Sequence, residues 1–335
     1  GQRIVPHLDL ALPLIDLTGV EPGEQKAEVQ RWLHAEQQRP FDLTQPPLLR
    51  VQVLKLAKQH HALLLTVHHI VVDGWSIQIL LEDLGQLYNA AVQGETALLP
   101  SAASYRDYIQ QADRGTAAAY WQQLSLPQWR LPTKDAGVRD AFRRKTSLKE
   151  NRPHFLSYQS AHQSWQLSPE RYQRVQAWSR QQGCTLFMTL LAGFCLLLHR
   201  WSQAPELMVG ISVAGQGQPG RSRLVAHCVN VLPVHSQLQP EQTLSDYLHQ
   251  IRHRLVECYD HADYSLSQWV RWAQGNEGRS HPHAAPPLQP IVPVLFNLDP
   301  SLPVPNFQGL TVTAIPQPPI YVRWDLSWHL SEAEG

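Results

Sequence analysis

The sequence is short of charge, of cysteine and of long apolar runs. Only 17% of its 335 residues are charged, against 43% apolar, a balance that suits a globular chain and excludes a disordered one. Lys+Arg and Asp+Glu number 28 each, so the formal net charge is zero. No basic face is expected for nucleic acid, and no Lys/Arg run for a membrane surface. The longest apolar stretches, residues 186–198 and 62–67, fall short of a bilayer span. The opening Gly-Gln-Arg-Ile has no signal-peptide layout. Cys184, Cys195, Cys228 and Cys258 form no CxxC pair and sit among apolar residues. They read as buried, reduced thiols, which suits a cytoplasmic chain better than a secreted one. There is no short-period repeat and no low-complexity segment.

What the chain does have is alternating strand and helix signals in both halves, enough for one large or two ordinary domains. Residues 24–38 read as a helix carrying Val29, Trp32 and Leu33. Residues 48–56 and 62–67 read as an antiparallel hairpin. Helical spacing returns at Ile77, Leu80, Leu81, Leu84, Leu87 and Tyr88, with Ser76 as a cap and Gly94 beyond the end. A further helical segment runs from Tyr105 to Trp121. Residues 124–162 have no sustained periodicity and read as a connection, which places a boundary near residue 160. Beyond it, Ser168 and Thr185 each stand where a helix N-cap belongs, and residues 243–261 read as helical. Strands are expected at 207–213, 229–234, 291–297, 310–315 and 326–330, and a polar loop at 275–290.

The most informative stretch is Thr66-Val67-His68-His69-Ile70-Val71-Val72-Asp73-Gly74-Trp75-Ser76. An apolar strand leads in and an amphipathic helix leads out. A histidine at a strand end can act as a base near neutral pH. Neighbours on a strand face opposite ways, so only one of His68 and His69 would face a given cleft. Asp73 is placed to fix the loop by pairing with an Arg or with loop amides. The Gly74 amide, with no side chain to block it, can come close to a substrate. The alternative is a polar strand-to-helix turn in which Asp73 or Ser76 merely caps a helix. A metal site is a third reading, but the stretch has no HxH or HxxxH spacing. His60 and His61 fall in a solvated hairpin turn.

HHxxxDG before a helix is the signature of acyltransferases built like chloramphenicol acetyltransferase. The wider sequence resembles one branch of them, the condensation domains of nonribosomal peptide synthetases. His68 to Ser76 matches that family's HHxxxDGWS. Pro40-Phe41-Asp42-Leu43 followed by Pro47-Leu48-Leu49-Arg50 matches its PFDL-x-x-x-P-L-L-R segment. Tyr105-Arg106-Asp107-Tyr108, Tyr120-Trp121 and His261-Ala262-Asp263-Tyr264 match further motifs. Residues 226–233 approximate G-x-x-V-N-x-L-P, and Phe296-Asn297 and Trp324-Asp325-Leu326 resemble its FN and FDL strands. The motifs occur in the family's order from one end of the chain to the other. The family's first two signature segments do not occur, so the resemblance is to a domain partial at both ends. Where the family usually has an Arg after its Val-Gly-Ile-like strand, this chain has Gln216, and Arg221 or Arg223 could replace it as the partner of Asp73. Ala226 and Cys228 stand where Gly and Phe are commoner.

The resemblance implies an α/β (α+β) fold of two chloramphenicol acetyltransferase-like lobes, residues 1–160 and 161–335, arranged as a V around a central channel. It implies amide-bond formation between an acyl or peptidyl thioester donor and an aminoacyl acceptor. Both ride on phosphopantetheine arms of upstream and downstream peptidyl carrier proteins, with an adenylation domain adjacent and with no cofactor or metal bound by the domain itself. His69 would be the catalytic base or orienter, and the Gly74 N–H a donor to the oxyanion. His68, in the lobe interior, and Asp73, in an ion pair, would support them. Trp75, Ser76 and Asn230 would line the channel. Other readings within this fold are an epimerisation domain, a coenzyme A-dependent acyltransferase, and a non-catalytic recruitment domain. The Trp75-Ser76 order and the motifs beyond HHxxxDG speak against the first two. The retained His69 speaks against the third.

Overall fold

The computed structural model describes residues 2–5, 7–111, 115–124, 127, 129, 131, 132, 158, 159, 161–217, 220–273, 292–299, 303–315, 321, 322 and 324–332. The chain divides into two compact units, each drawn from several stretches.

The first unit comprises Gly1–Tyr105, Gln216–Cys228 and Pro305–Val312. Its sheet is built on a hairpin, β2 (Leu49–Ala57) and β3 (His60–Val67), paired antiparallel from Leu49↔Val67 onward. A short β1 (Leu14–Asp16) adds parallel to β2. Strand alternation gathers Leu54 and Leu64 on one face, where Val29, Trp32 and Leu33 of α1 (Pro22–Gln38) pack with them. After β3 the chain turns and enters α2 (Gly74–Gln93). Residues 305–312 lie along that helix. The Phe307 ring meets Tyr88 edge-on at 5.6 Å, and Asn89 accepts from the Gln308 N–H at 2.7 Å while donating to the Asn306 carbonyl at 2.9 Å.

The second unit comprises Arg106–Gly215, Val229–Val304 and Thr313–Gly335. It holds α3 (Tyr105–Gln111, begun in the first unit), α4 (Gly115–Gln123), β4 (Tyr158–Gln159), α5 (Pro169–Gln181), α6 (Leu186–Ser202), β5 (Glu206–Val213), β6 (Asn230–Gln237), α7 (Leu244–Asp260), α8 (Leu266–Ala273), β7 (Val294–Asp299), β8 (Tyr321–Val322) and β9 (Leu326–Ser331). Its main sheet has the order β6-β5-β7-β9, antiparallel at β6-β5 and parallel thereafter. Residues 207–211 of β5 are buried without alternation, as in a central strand covered on both faces. The core joins Leu191, Phe194 and Leu198 of α6 to Tyr247, Ile251 and Leu255 of α7 and to Phe296 of β7. Cys184, Cys195, Cys228 and Cys258 are all buried thiols outside any disulfide, as their apolar surroundings implied. No single helix among the described residues is long and apolar enough to cross a membrane.

The caps expected at Ser168 and Thr185 are present, and Thr243 caps α7 in the same way, each accepting from the backbone N–H three residues on. Two expectations are corrected. No strand forms over residues 310–315, where Leu310, Val312 and Ile315 are exposed and pair with no neighbour strand. The segment from Tyr105 to Trp121 is helical over its described residues, as α3 and α4, with residues 112–114 outside them. The cap of α2 is Asp73, not Ser76. The loop expected at 275–290 lies outside the described residues, and the connection at 124–162 lies largely outside them.

Candidate active site

The histidine pair does not sit on the strand. β3 ends at Val67, and residues 69–71 form a turn, so the alternation argument does not decide which ring faces where. Hydrogen bonding decides it instead. The Ile70 N–H donates to His68 Nδ1 at 3.1 Å, so that nitrogen carries the lone pair and the proton is on Nε2. His69 Nδ1 lies 2.6 Å from the Val72 carbonyl oxygen. A carbonyl only accepts, so His69 Nδ1 carries the proton, and in the neutral ring the lone pair is on Nε2. The two neighbours are held in opposite tautomers. His68 spends its lone pair bracing the turn, whereas His69, an exposed residue, keeps its own on the nitrogen away from that bond.

The turn is anchored by Asp73, which is only 2% exposed. Oδ1 accepts from the Ser76 N–H at 2.9 Å and lies 2.8 Å from Ser76 Oγ. Oδ2 accepts from Gln216 Nε2 at 2.7 Å and from the Cys228 N–H at 2.9 Å. The expected ion pair is therefore replaced by neutral donors. Arg223 pairs instead with Glu82 and Asp83 of α2. Among the described residues no cation contacts Asp73. The N-terminus of α2, with its positive dipole end, adds to the stabilisation of the buried charge. Because Gln216 must present its N–H to a carboxylate, its Oε1 points elsewhere and finds no donor among the described residues.

Ser76 is fully buried, so it lines no open surface of this unit. Its hydroxyl lies 2.8 Å from the Ala226 carbonyl and accepts the Ala226 N–H at 3.0 Å. Trp75 is 42% exposed and donates from Nε1 to the Ser222 carbonyl at 3.1 Å. Gly74 opens α2 and is exposed, and a Cβ placed there would meet nothing within 4 Å. A ring to which the sequence did not point joins the group: His227 meets His69 edge to face, with centroids 4.9 Å apart and planes at 89°. Two of the thiols, Cys195 and Cys258, offer no alternative nucleophile. Burial raises Cys195 and Cys258 to about 12, and a thiol at that value is inert near neutral pH. Among the described residues no cluster of His, Cys, Asp or Glu is arranged to hold a metal ion.

A family model, Condensation domain, matches residues 1–283. The chain belongs to the condensation-domain family. Such domains form peptide bonds in nonribosomal peptide synthesis. A linear gramicidin synthase of Brevibacillus parabrevis is 33% identical over 280 residues, covering 80% of this chain and 5% of that protein. Phosphinothricin tripeptide synthetase PhsC of Streptomyces viridochromogenes is 31% identical over 285 residues, covering 84% of this chain and 25% of that protein. The condensation domain thus spans a small part of the length of these relatives. In fold it is similar to the first condensation domain of the calcium-dependent antibiotic synthetase in complex with a substrate analogue (TM-score 0.65, 20% identity, 91% of this chain and 64% of that one). It is also similar to the X-domain from teicoplanin biosynthesis (TM-score 0.74, 16% identity, 100% of this chain and 72% of that one).

The other motifs of the condensation domain do structural work within their own units. In the first, the Arg50 guanidinium pairs with Glu36, donates to the Arg39 carbonyl at 2.9 Å and lies 3.8 Å above the Phe41 ring. Phe41 in turn meets the His68 ring edge-on at 5.8 Å. In the second unit, Tyr120 stacks on His261 at 4.1 Å, and Trp121 donates to the His261 carbonyl at 2.8 Å. Asn230 donates to the Ala262 and Tyr264 carbonyls and accepts the N–H groups of Val231 and Leu266. Its side chain is committed to holding that loop.

Proposed function

We propose that this condensation domain catalyses amide-bond formation between a carrier-bound acyl or peptidyl thioester and the amine of a carrier-bound aminoacyl thioester. The donor rides on an upstream peptidyl carrier protein and the acceptor on a downstream one, with an adenylation domain beside them. The amine nitrogen attacks the thioester carbonyl carbon and gives up a proton to His69 Nε2. The tetrahedral oxyanion then collapses, the C–N bond is retained, the C–S bond breaks, and the departing thiolate takes a proton. The Gly74 N–H, at the positive end of α2, is the donor placed to meet the oxyanion. Thioesters are reactive, so holding the two arms together supplies much of the rate. His68 and Asp73 brace the turn.

The observation that carries this reading is the opposed pair of tautomers, which leaves one exposed imidazole lone pair on a turn fixed by a buried acid. The test uses carriers loaded with donor and acceptor, and follows the amide product by mass spectrometry. His69→Ala is expected to lower product formation by roughly 10²–10⁴-fold, with the thermal midpoint unchanged. Undiminished amide formation by that variant would overturn the reading and leave a recruitment role.

A further inference from the structure

His227 is held beside His69 by the anchoring of its neighbours. Ala226 and Cys228 are buried, and the residue between them is exposed. The Ala226 N–H and carbonyl both meet Ser76 Oγ, and the Cys228 N–H donates to Asp73 Oδ2. The same acid and hydroxyl that begin α2 therefore fix the backbone on both sides of His227. The ring it carries stands 4.9 Å from His69, edge to face.

One hydrogen bond, from Nδ1 to Val72, leaves the His69 ring free to rock about the axis through that bond. A second contact at right angles to the ring plane removes that freedom. From this geometry we propose that His227 is a positioning residue of the acyl-transfer site. Its ring is the wall that keeps His69 in the orientation presenting Nε2 to the attacking amine. The inference rests on His69 as the reacting base. It deepens that reading by giving His69 an orienting partner that is an aromatic ring and not a carboxylate.

The test compares His227→Ala and His227→Phe in the whole domain with loaded carriers. Misplacing a catalytic group by about an ångström costs up to roughly a hundredfold in rate. His227→Ala is expected to lower kcat roughly ten- to a hundredfold with KM for both carriers little changed. His227→Phe, which keeps an edge-to-face partner, is expected to restore most of kcat. ¹³C relaxation of the His69 ring reports its mobility independently of activity: the ring is rigid in the wild type and rocks in His227→Ala, while the bond to the Val72 carbonyl keeps Nδ1–H as the tautomer in both. A wild-type kcat with unchanged His69 ring mobility in His227→Ala would overturn the proposal, as would a His227→Phe variant no better than the alanine one. Activity surviving His69→Ala would instead overturn the reading on which the inference rests, so the two failures are distinct.

Discussion

Asp73 receives more hydrogen bonds than the start of a helix needs. A cap requires one acceptor for the N–H two or three residues on, and Oδ1 supplies that to Ser76. Oδ2 is devoted to the distant Gln216 and Cys228. Asp73→Asn keeps the size and the cap, but turns an N–H donor toward two other donors. The expected cost is about 2–3 kcal/mol of stability, measured as a shift in the urea midpoint at unchanged slope. Gly74 behaves differently. With open space where a Cβ would stand, Gly74→Ala is expected to change stability by no more than about 0.5 kcal/mol. It would still crowd the approach to the N–H and lower turnover roughly tenfold. A Gly74→Ala variant that loses stability would show that the fold, and not substrate approach, needs the glycine.

Among the elements, β5 tolerates the least change. A Cβ on Gly210 would come within 2.8 Å of a Val292 methyl and 2.9 Å of a Val231 methyl. Gly210→Ala is expected to destabilise the protein by about 1–3 kcal/mol, read from chemical denaturation. Element boundaries show why parts of the fold were legible in the sequence. Ser168 and Thr185 announce their helices because a cap is satisfied within three residues. α8 passed unnoticed because eight residues give too few turns for a period to show. Residues 310–315 carry a strand-like alternation, but a strand forms only where another edge accepts it. The histidine stretch was legible as a candidate site. Which histidine keeps its lone pair was not, because β3 stops at Val67 and a turn follows. His227 was hidden for a different reason: the resemblance brought residues 216–223 toward Asp73, but no motif singled out the residue between Ala226 and Cys228.

For the whole molecule, the second unit makes stability depend on pH. His199 is 3% exposed and bonded through both ring nitrogens, to the Ala204 carbonyl and to Ser236 Oγ, which continues to Tyr247. Burial holds His199 and His235 below the ordinary value of 6.5. Below pH 6.5 the unfolded chain takes up protons that these folded imidazoles refuse, so stability is full above that pH and is lost as pH falls toward the folded values. The urea midpoint is expected to drop between pH 7.5 and 5.5, above the range in which carboxylates titrate. An unchanged or rising midpoint would contradict this account. The other whole-molecule feature is the makeup of the first unit, which takes in Gln216–Cys228 and Pro305–Val312. During translation at about 5–20 residues per second, on the order of ten seconds separate Asp73 from the partners 143 and 155 residues later. Throughout that interval the nascent chain holds a histidine turn whose buried acid has only Ser76 to bind. Ribosome-arrested chains ending near residue 160 are expected to leave residues 1–105 open to protease, and chains that expose residue 312 to protect them. The first unit to begin synthesis therefore stays unfinished until residue 312 has been made, and a pause in translation matters most to this site if it falls before residue 228 has emerged.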